Sequence, residues 1–158
     1  MRWSYQTEAN DDHDWDATGT AQFDTADGRQ FVAATSKDGI LHLLDRANGK
    51  LLTKTAVTTL SNAAAPITST GTHYCPGVTG GSEWNGAAWN PAARLVYVNS
   101  VDWCVTVKLS ARPSMTNINQ ISNTKQTSSF GGGIPLPDPM GKAYGWTTAI
   151  NPSTGAAK

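Results

Sequence analysis

NDDHDWDATGTAQFDTADGRQFVAATSKDGILHLLDRANGK, residues 10–50, decides the fold. Its beginning is acidic: Asp11, Asp12, Asp14 and Asp16 surround His13 and Trp15. So dense a run of like charges does not suit a regular element, and residues 10–19 read as a loop. Residues 21–23 are short and extended. Asp27-Gly28 signals a turn over 25–29, and QFVAAT at 30–35 reads as a buried strand. Ser-Lys-Asp-Gly at 36–39 is a second tight turn, and ILHLL at 40–44 the next strand. A third turn at 45–49 leads into KLLTKTAV at 50–57. Turn signals about every ten residues mark an antiparallel meander.

Outward from this stretch the material is similar. WSYQT at 3–7 alternates large apolar with polar residues and reads as a strand. Residues 61–81 are loop-like. LVYVN at 95–99, WCVTVKL at 103–109 and AYGWTTAI at 143–150 are rich in β-branched and aromatic residues and read as strands. Residues 110–141 hold polar residues, then Gly131 to Gly133 and three prolines, and read as a loop-like insertion. No 3.6-residue period stands out, so the chain is all-β.

LLDRANGKLL, AWNPAARLVY and AINPSTGAAK share one plan. Apolar residues run into Asp45, Asn90 or Asn151, and Gly49, Arg94 or Gly155 follows four residues later. The Asx side chain can bond the backbone two residues on, and glycine accepts positive φ at the turn's end. Spacings of 45 and 61 residues suit roughly one four-stranded propeller blade per copy. The expected architecture is a partial β-propeller of about two to three four-stranded antiparallel blades. Residues 1–158 form one such domain, the insertion at about 110–141 included. Propellers close with about four to eight blades, so further blades are expected as partners.

Twelve Lys and Arg balance twelve Asp and Glu, which gives no electrostatic case for nucleic acid. No apolar run approaches the ~20 residues that span a bilayer. MRWSYQTEAND lacks the apolar core of a signal peptide, so the chain is expected to be cytosolic or to lack its true N-terminus. Cys75 and Cys104 make no metal motif; they form one disulfide or remain two buried thiols.

At HDWD, SKDG, LLDRANGK, YCPGVTGG, EWNGAAWNP, VDWC and AINPSTG the chain resembles the quinoprotein alcohol dehydrogenases. These are periplasmic enzymes that carry pyrroloquinoline quinone (PQQ) on an eight-bladed propeller. The order and spacing of these pieces carry the likeness, which covers most of the chain. It implies a catalytic aspartate at Asp16, after the aromatic residue of the acidic loop. It implies that Lys37 contacts the quinone, and that Glu83 and Trp84 lie near it, although the family often has Asn where Glu83 stands. Asp16 would also touch a metal whose main ligands, a Glu and an Asn, lie on earlier blades. Thr18 stands where lanthanide-using relatives carry a second aspartate, which favours calcium. A periplasmic family also favours the Cys75–Cys104 disulfide. A cytochrome c is the implied electron acceptor. The tryptophan that ends the family's blade motif is absent, with Thr53 and Val98 in its place.

The chemistry suits these residue types. A carboxylate can take the alcohol proton while hydride leaves the carbinol carbon. A cation beside the quinone oxygens stabilises the charge that builds there, and a divalent metal polarises a carbonyl. The expected function is oxidation of an alcohol or sugar by hydride transfer to PQQ, with Asp16 as general base. The alternatives are a non-enzymatic propeller scaffold of the same blade type and an inactive truncated copy. An EF-hand reading of Asp12, Asp14 and Asp16 fails, because Ala17 and Phe23 occupy its Gly and Glu positions. A scaffold has no use for the HDWD–Lys37 pair, which favours the enzyme.

Overall fold

A computed structural model describes residues 1–82, 84–109, 133–137 and 143–158, the backbone alone for 133–137. Ten strands follow in order: β1 (Ala17–Asp24), β2 (Gln30–Ser36), β3 (Ile40–Asp45), β4 (Leu51–Ala56) and β5 (Thr72–Tyr74), then β6 (Ala87–Asn90), β7 (Leu95–Asp102), β8 (Val105–Leu109), β9 (Gly133–Pro137) and β10 (Tyr144–Ile150). There is no helix among the described residues.

β1 to β4 form the meander expected after the acidic loop, a four-stranded antiparallel sheet in sequence order, with β1 starting at Ala17, inside the stretch expected to be loop. A second sheet has the order β10-β7-β6 and a third β5-β8-β9. The chain therefore leaves the second sheet after β7, builds a strand pair elsewhere and returns as β10. β9 lies inside the expected insertion and pairs with β8, so residues 133–137 are strand rather than loop. The insertion's other residues, 110–132 and 138–141, lie outside the described ones.

The first two sheets pack face to face over one core. Phe23, Phe31, Leu41 and Leu43 from the first meet Val96, Val98 and Ile150 from the second. Phe31, Phe23 and Trp89 stack in a row with centroids 5.2 and 4.4 Å apart. Aromatic burial of this kind is among the larger apolar contributions to a fold. β1 and β6 approach so closely that a Cβ on Gly19 would lie 2.7 Å from the Gly86 Cα. Glycine is needed there because the two backbones touch.

Almost every residue of β2 and β3 is buried, so their second face is covered too. Trp3 and Tyr5 lie against it. Residues 3–7 are not a strand: Trp3 Nε1 donates to the Arg46 carbonyl at 3.0 Å, and Tyr5 Oη pairs with His42 Nδ1. The alternation does turn Trp3 and Tyr5 toward the protein, but side chains rather than a backbone ladder anchor the segment.

The three related turns form as read. Asp45 Oδ1 accepts from Ala47 N at 2.7 Å, and Asn151 Oδ1 from Ser153 N at 2.8 Å. Asn90 Oδ1 takes the Ala93 N–H, one residue further on. Gly49, Arg94 and Gly155 all have positive φ, Arg94 at 56° despite its Cβ. The reading of one copy per blade does not hold. The Asn90 turn joins β6 to β7, whereas the Asn151 turn follows β10 in that same sheet. Asx chemistry closes either kind of hairpin, so the motif marks turns without marking the blade position.

Candidate active site

Three loops meet at one end of the paired sheets: the acidic loop entering β1, the β2–β3 turn, and the loop entering β6. The acidic loop alternates. His13 and Trp15 are buried, and Asp12, Asp14 and Asp16 are exposed. Asp11 imposes this shape, its two oxygens accepting from His13 N and Trp15 N at 2.8 Å each. His13 stacks on Trp15 at 4.5 Å and meets the Tyr74 ring edge-on at 4.4 Å. His13 is thus a packed loop residue, paired with Asp12 at its Nδ1. Burial, reinforced by the charges of Asp12, Asp11 and Asp14, pushes the Tyr74 phenol far above its usual range, so it stays neutral.

The Ser-Lys-Asp-Gly turn closes through Gly39 N to the Ser36 carbonyl. Its backbone is sewn to the acidic loop, with Lys37 N donating to the Asp16 carbonyl at 3.1 Å. The third loop is sewn on as well. Ser82 N donates to the Ser36 carbonyl at 3.1 Å, and Thr18 Oγ1 to the Ser82 carbonyl at 2.5 Å.

Lys37 and Asp16 meet at this seam. The Lys37 ammonium lies 2.9 Å from Asp16 Oδ2 and 3.2 Å from Asp14 Oδ2. The lysine side chain is 5% exposed, whereas that of Asp16 is 66% exposed. A held cation and a reachable carboxylate thus sit side by side. Burial alone would lower the Lys37 pKa. The hydrogen bonds that the ammonium donates to Asp16 and Asp14, with their charges, outweigh it and leave the ammonium above its ordinary 10.5. The stability this pairing gives is complete below 10.5 and disappears as pH rises through the raised folded value. Urea midpoints across the alkaline range should therefore fall in the wild type by a step that Lys37→Met lacks.

Trp84 is 82% exposed and has a φ of 65°, unusual for a residue with a Cβ. It stands on the loop whose Ser82 is bonded to the lysine turn. Glu83, its expected companion at the quinone, lies outside the described residues. Thr18 binds backbone rather than solvent at its position two residues after Asp16. Among the described residues no group of three His, Cys, Asp or Glu ligand atoms gathers at Asp16. A group of that kind elsewhere, His73 with Cys75 and Cys104, has both cysteines joined in a disulfide. That disulfide ties the end of β5 to the β7–β8 link, and Gly77 N reinforces it by donating to the Trp103 carbonyl at 2.7 Å. Asp102 is a structural acceptor for Thr59 and Trp146.

Sequence reasoning missed Asp14 as the second partner of Lys37. The signal was present: with Trp15 buried, Asp14 and Asp16 emerge on one side. It also missed Gly81, whose φ of 74° and close packing on the Lys37 backbone leave no room for a side chain.

Residues 53–154 match the model of the PQQ glucose/ethanol/alcohol dehydrogenase β-propeller domain. The chain is 29% identical over 118 residues to quinohemoprotein alcohol dehydrogenase ADH IIB of Pseudomonas putida, covering 62% of this chain and 17% of that protein. It superposes on quinohemoprotein alcohol dehydrogenase of Comamonas testosteroni with a TM-score of 0.63 at 21% identity, covering 87% of this chain and 23% of that one. For a europium-containing methanol dehydrogenase the TM-score is 0.59 at 15% identity, covering 89% of this chain and 27% of that one. At such identities the structural likeness is one of fold, an all-strand propeller arc. The chain spans about a sixth to a quarter of the length of these relatives.

Proposed function

Because this chain belongs to the PQQ glucose/ethanol/alcohol dehydrogenase β-propeller family, we propose that it contributes the reaction corner of a quinoprotein dehydrogenase oxidising an alcohol or sugar. The observation that carries this is the buried Lys37 ammonium beside the exposed Asp16 carboxylate, 2.9 Å apart. Two carboxylates around a buried cation, with an exposed indole on the adjoining loop, suit PQQ, whose flat ring system and anionic oxygens match an aromatic face and an ammonium. Lys37, Trp84 and Glu83 would hold it. Asp16 would offer this chain's oxygen to a calcium ion, the other ligands coming from outside the chain. When bound, PQQ supplies the hydride acceptor and calcium the polarisation of its carbonyl.

This chain's residues do the rest. Asp16 is exposed enough to accept the proton of an incoming hydroxyl. Lys37 is fixed by its turn, so its charge is in place before reduction builds negative charge nearby. Asp14 stays with Lys37 when Asp16 turns to substrate, which prevents an uncompensated buried cation. The periplasm and a cytochrome c acceptor are the matching compartment and partner.

The test is dye-linked oxidation of a primary alcohol or an aldose by the complete protein loaded with PQQ and calcium. The expected result is activity that needs both and is lost in Lys37→Met even when excess PQQ restores its loading. A protein that takes up neither would leave the scaffold reading in its place.

A further inference from the structure

One buried polar chain is not used by this mechanism. Tyr5 Oη lies 3.0 Å from His42 Nδ1, and His42 Nε2 lies 2.8 Å from Asp38 Oδ2. His42 is fully buried and Asp38 is 2% exposed. Groups this deep persist when their hydrogen bonds are made. The carboxylate can only accept, so Nε2 donates to it and Nδ1 accepts from the tyrosine hydroxyl. Asp38 spends its other oxygen on Ile40 N at 2.9 Å, and its own N–H donates to Ser36 Oγ at 3.2 Å. The turn that carries Lys37 is thus held from inside, one residue from the ammonium.

The other turns of the first sheet show what an ordinary hairpin needs. The Asp45 turn closes through Asp45 Oδ1, which accepts from Ala47 N, and through the backbone bonds Gly49 N to the Asp45 carbonyl and Asp45 N to the Lys50 carbonyl. Thr25 and Asp27 close theirs at the exposed surface. Neither recruits a buried histidine. The 36–39 turn makes a bond of the same kind, Asp38 Oδ1 to Ile40 N, and adds the buried His42 and Tyr5 behind it; it is also the turn placed at the site. Its anchor runs along the face of the first sheet that turns away from the shared core, where His42 meets Tyr5.

We propose that Asp38, held by His42 and Tyr5, is a positioning residue that sets Lys37 against Asp16. The proposal rests on the reading of Lys37 as the cofactor-facing cation. Breaking the chain lets the turn shift, and the ammonium leaves its carboxylates. His42→Leu keeps the volume and removes both hydrogen bonds. His42→Gln can restore the donor to Asp38. Tyr5→Phe removes one hydroxyl from a partly exposed residue and is the variant to use if His42→Leu does not fold.

Two readouts decide, both in the complete protein. The first needs no cofactor: labelling of Lys37 by trinitrobenzenesulfonate, against exposed Lys50 as internal standard. The second is kcat against KM in the loaded enzyme. His42→Leu should speed Lys37 labelling severalfold and lower kcat with KM held, and His42→Gln should reverse both. Tyr5→Phe should move both in the same direction by less. A lower melting temperature with Lys37 labelled at the wild-type rate overturns the proposal. If Lys37→Met keeps full activity, the functional reading fails instead, and the labelling still decides whether Asp38 positions the lysine.

Discussion

Asp16→Asn in the complete, cofactor-loaded protein should lower alcohol turnover by about 10²- to 10⁴-fold, the usual contribution of a general base. The amide is nearly the size of the carboxylate and can still meet Lys37, so the corner keeps its shape. What it loses is the ability to accept a proton. Cofactor affinity should change far less than turnover, because Lys37 and Trp84 are untouched. Stopped-flow turnover beside a cofactor titration separates the two. Equal losses in both would make Asp16 a binding residue only.

Gly81→Ala should be the most damaging single-methyl change at the site. A Cβ there would lie 2.5 Å from the Lys37 Cα and would overlap its carbonyl group as well. The clash is with backbone, so no rotamer relieves it. Overpacking of this kind costs roughly 1–3 kcal/mol. The left-handed backbone, with φ at 74°, adds about 1 kcal/mol for any residue with a Cβ. The loop entering β6 must then move away from the lysine turn, straining the Ser82–Ser36 bond. Urea denaturation should show the lost stability and labelling should show Lys37 more open. Gly28→Ala is the control, since that glycine has the same positive φ and open space around it.

Most of the first sheet was legible because its signals are local. Asp27-Gly28, Asp38-Gly39 and the Asp45 turn each fix a reversal within four residues, and β1 to β4 pair with those neighbours. The rest depends on distant partners. Nothing local says that β8 pairs with β5 and β9 while β7 waits for β10. Nor does WSYQT announce that its aromatics bond to Arg46 and His42, about forty residues away. The same division holds at the site. Asp16 and Lys37 were singled out by the family resemblance, one just before a strand and the other in a turn, and the structure brings them together. Their 2.9 Å contact needed β1 and β2 in register. Asp14 was hidden because its role depends on Trp15 being buried beneath it. Gly81 and the Asp38–His42–Tyr5 chain were hidden because tertiary packing alone defines them.

The most direct test of the reaction corner is a crystal structure of the complete protein with PQQ and calcium bound. The predicted result is a quinone oxygen within hydrogen-bond distance of Lys37 Nζ, with the Asp16 carboxylate facing the same ring and Trp84 against it. A quinone held elsewhere on the ring of blades, with Lys37 enclosed by Asp14 and Asp16 and out of its reach, would contradict the assignment.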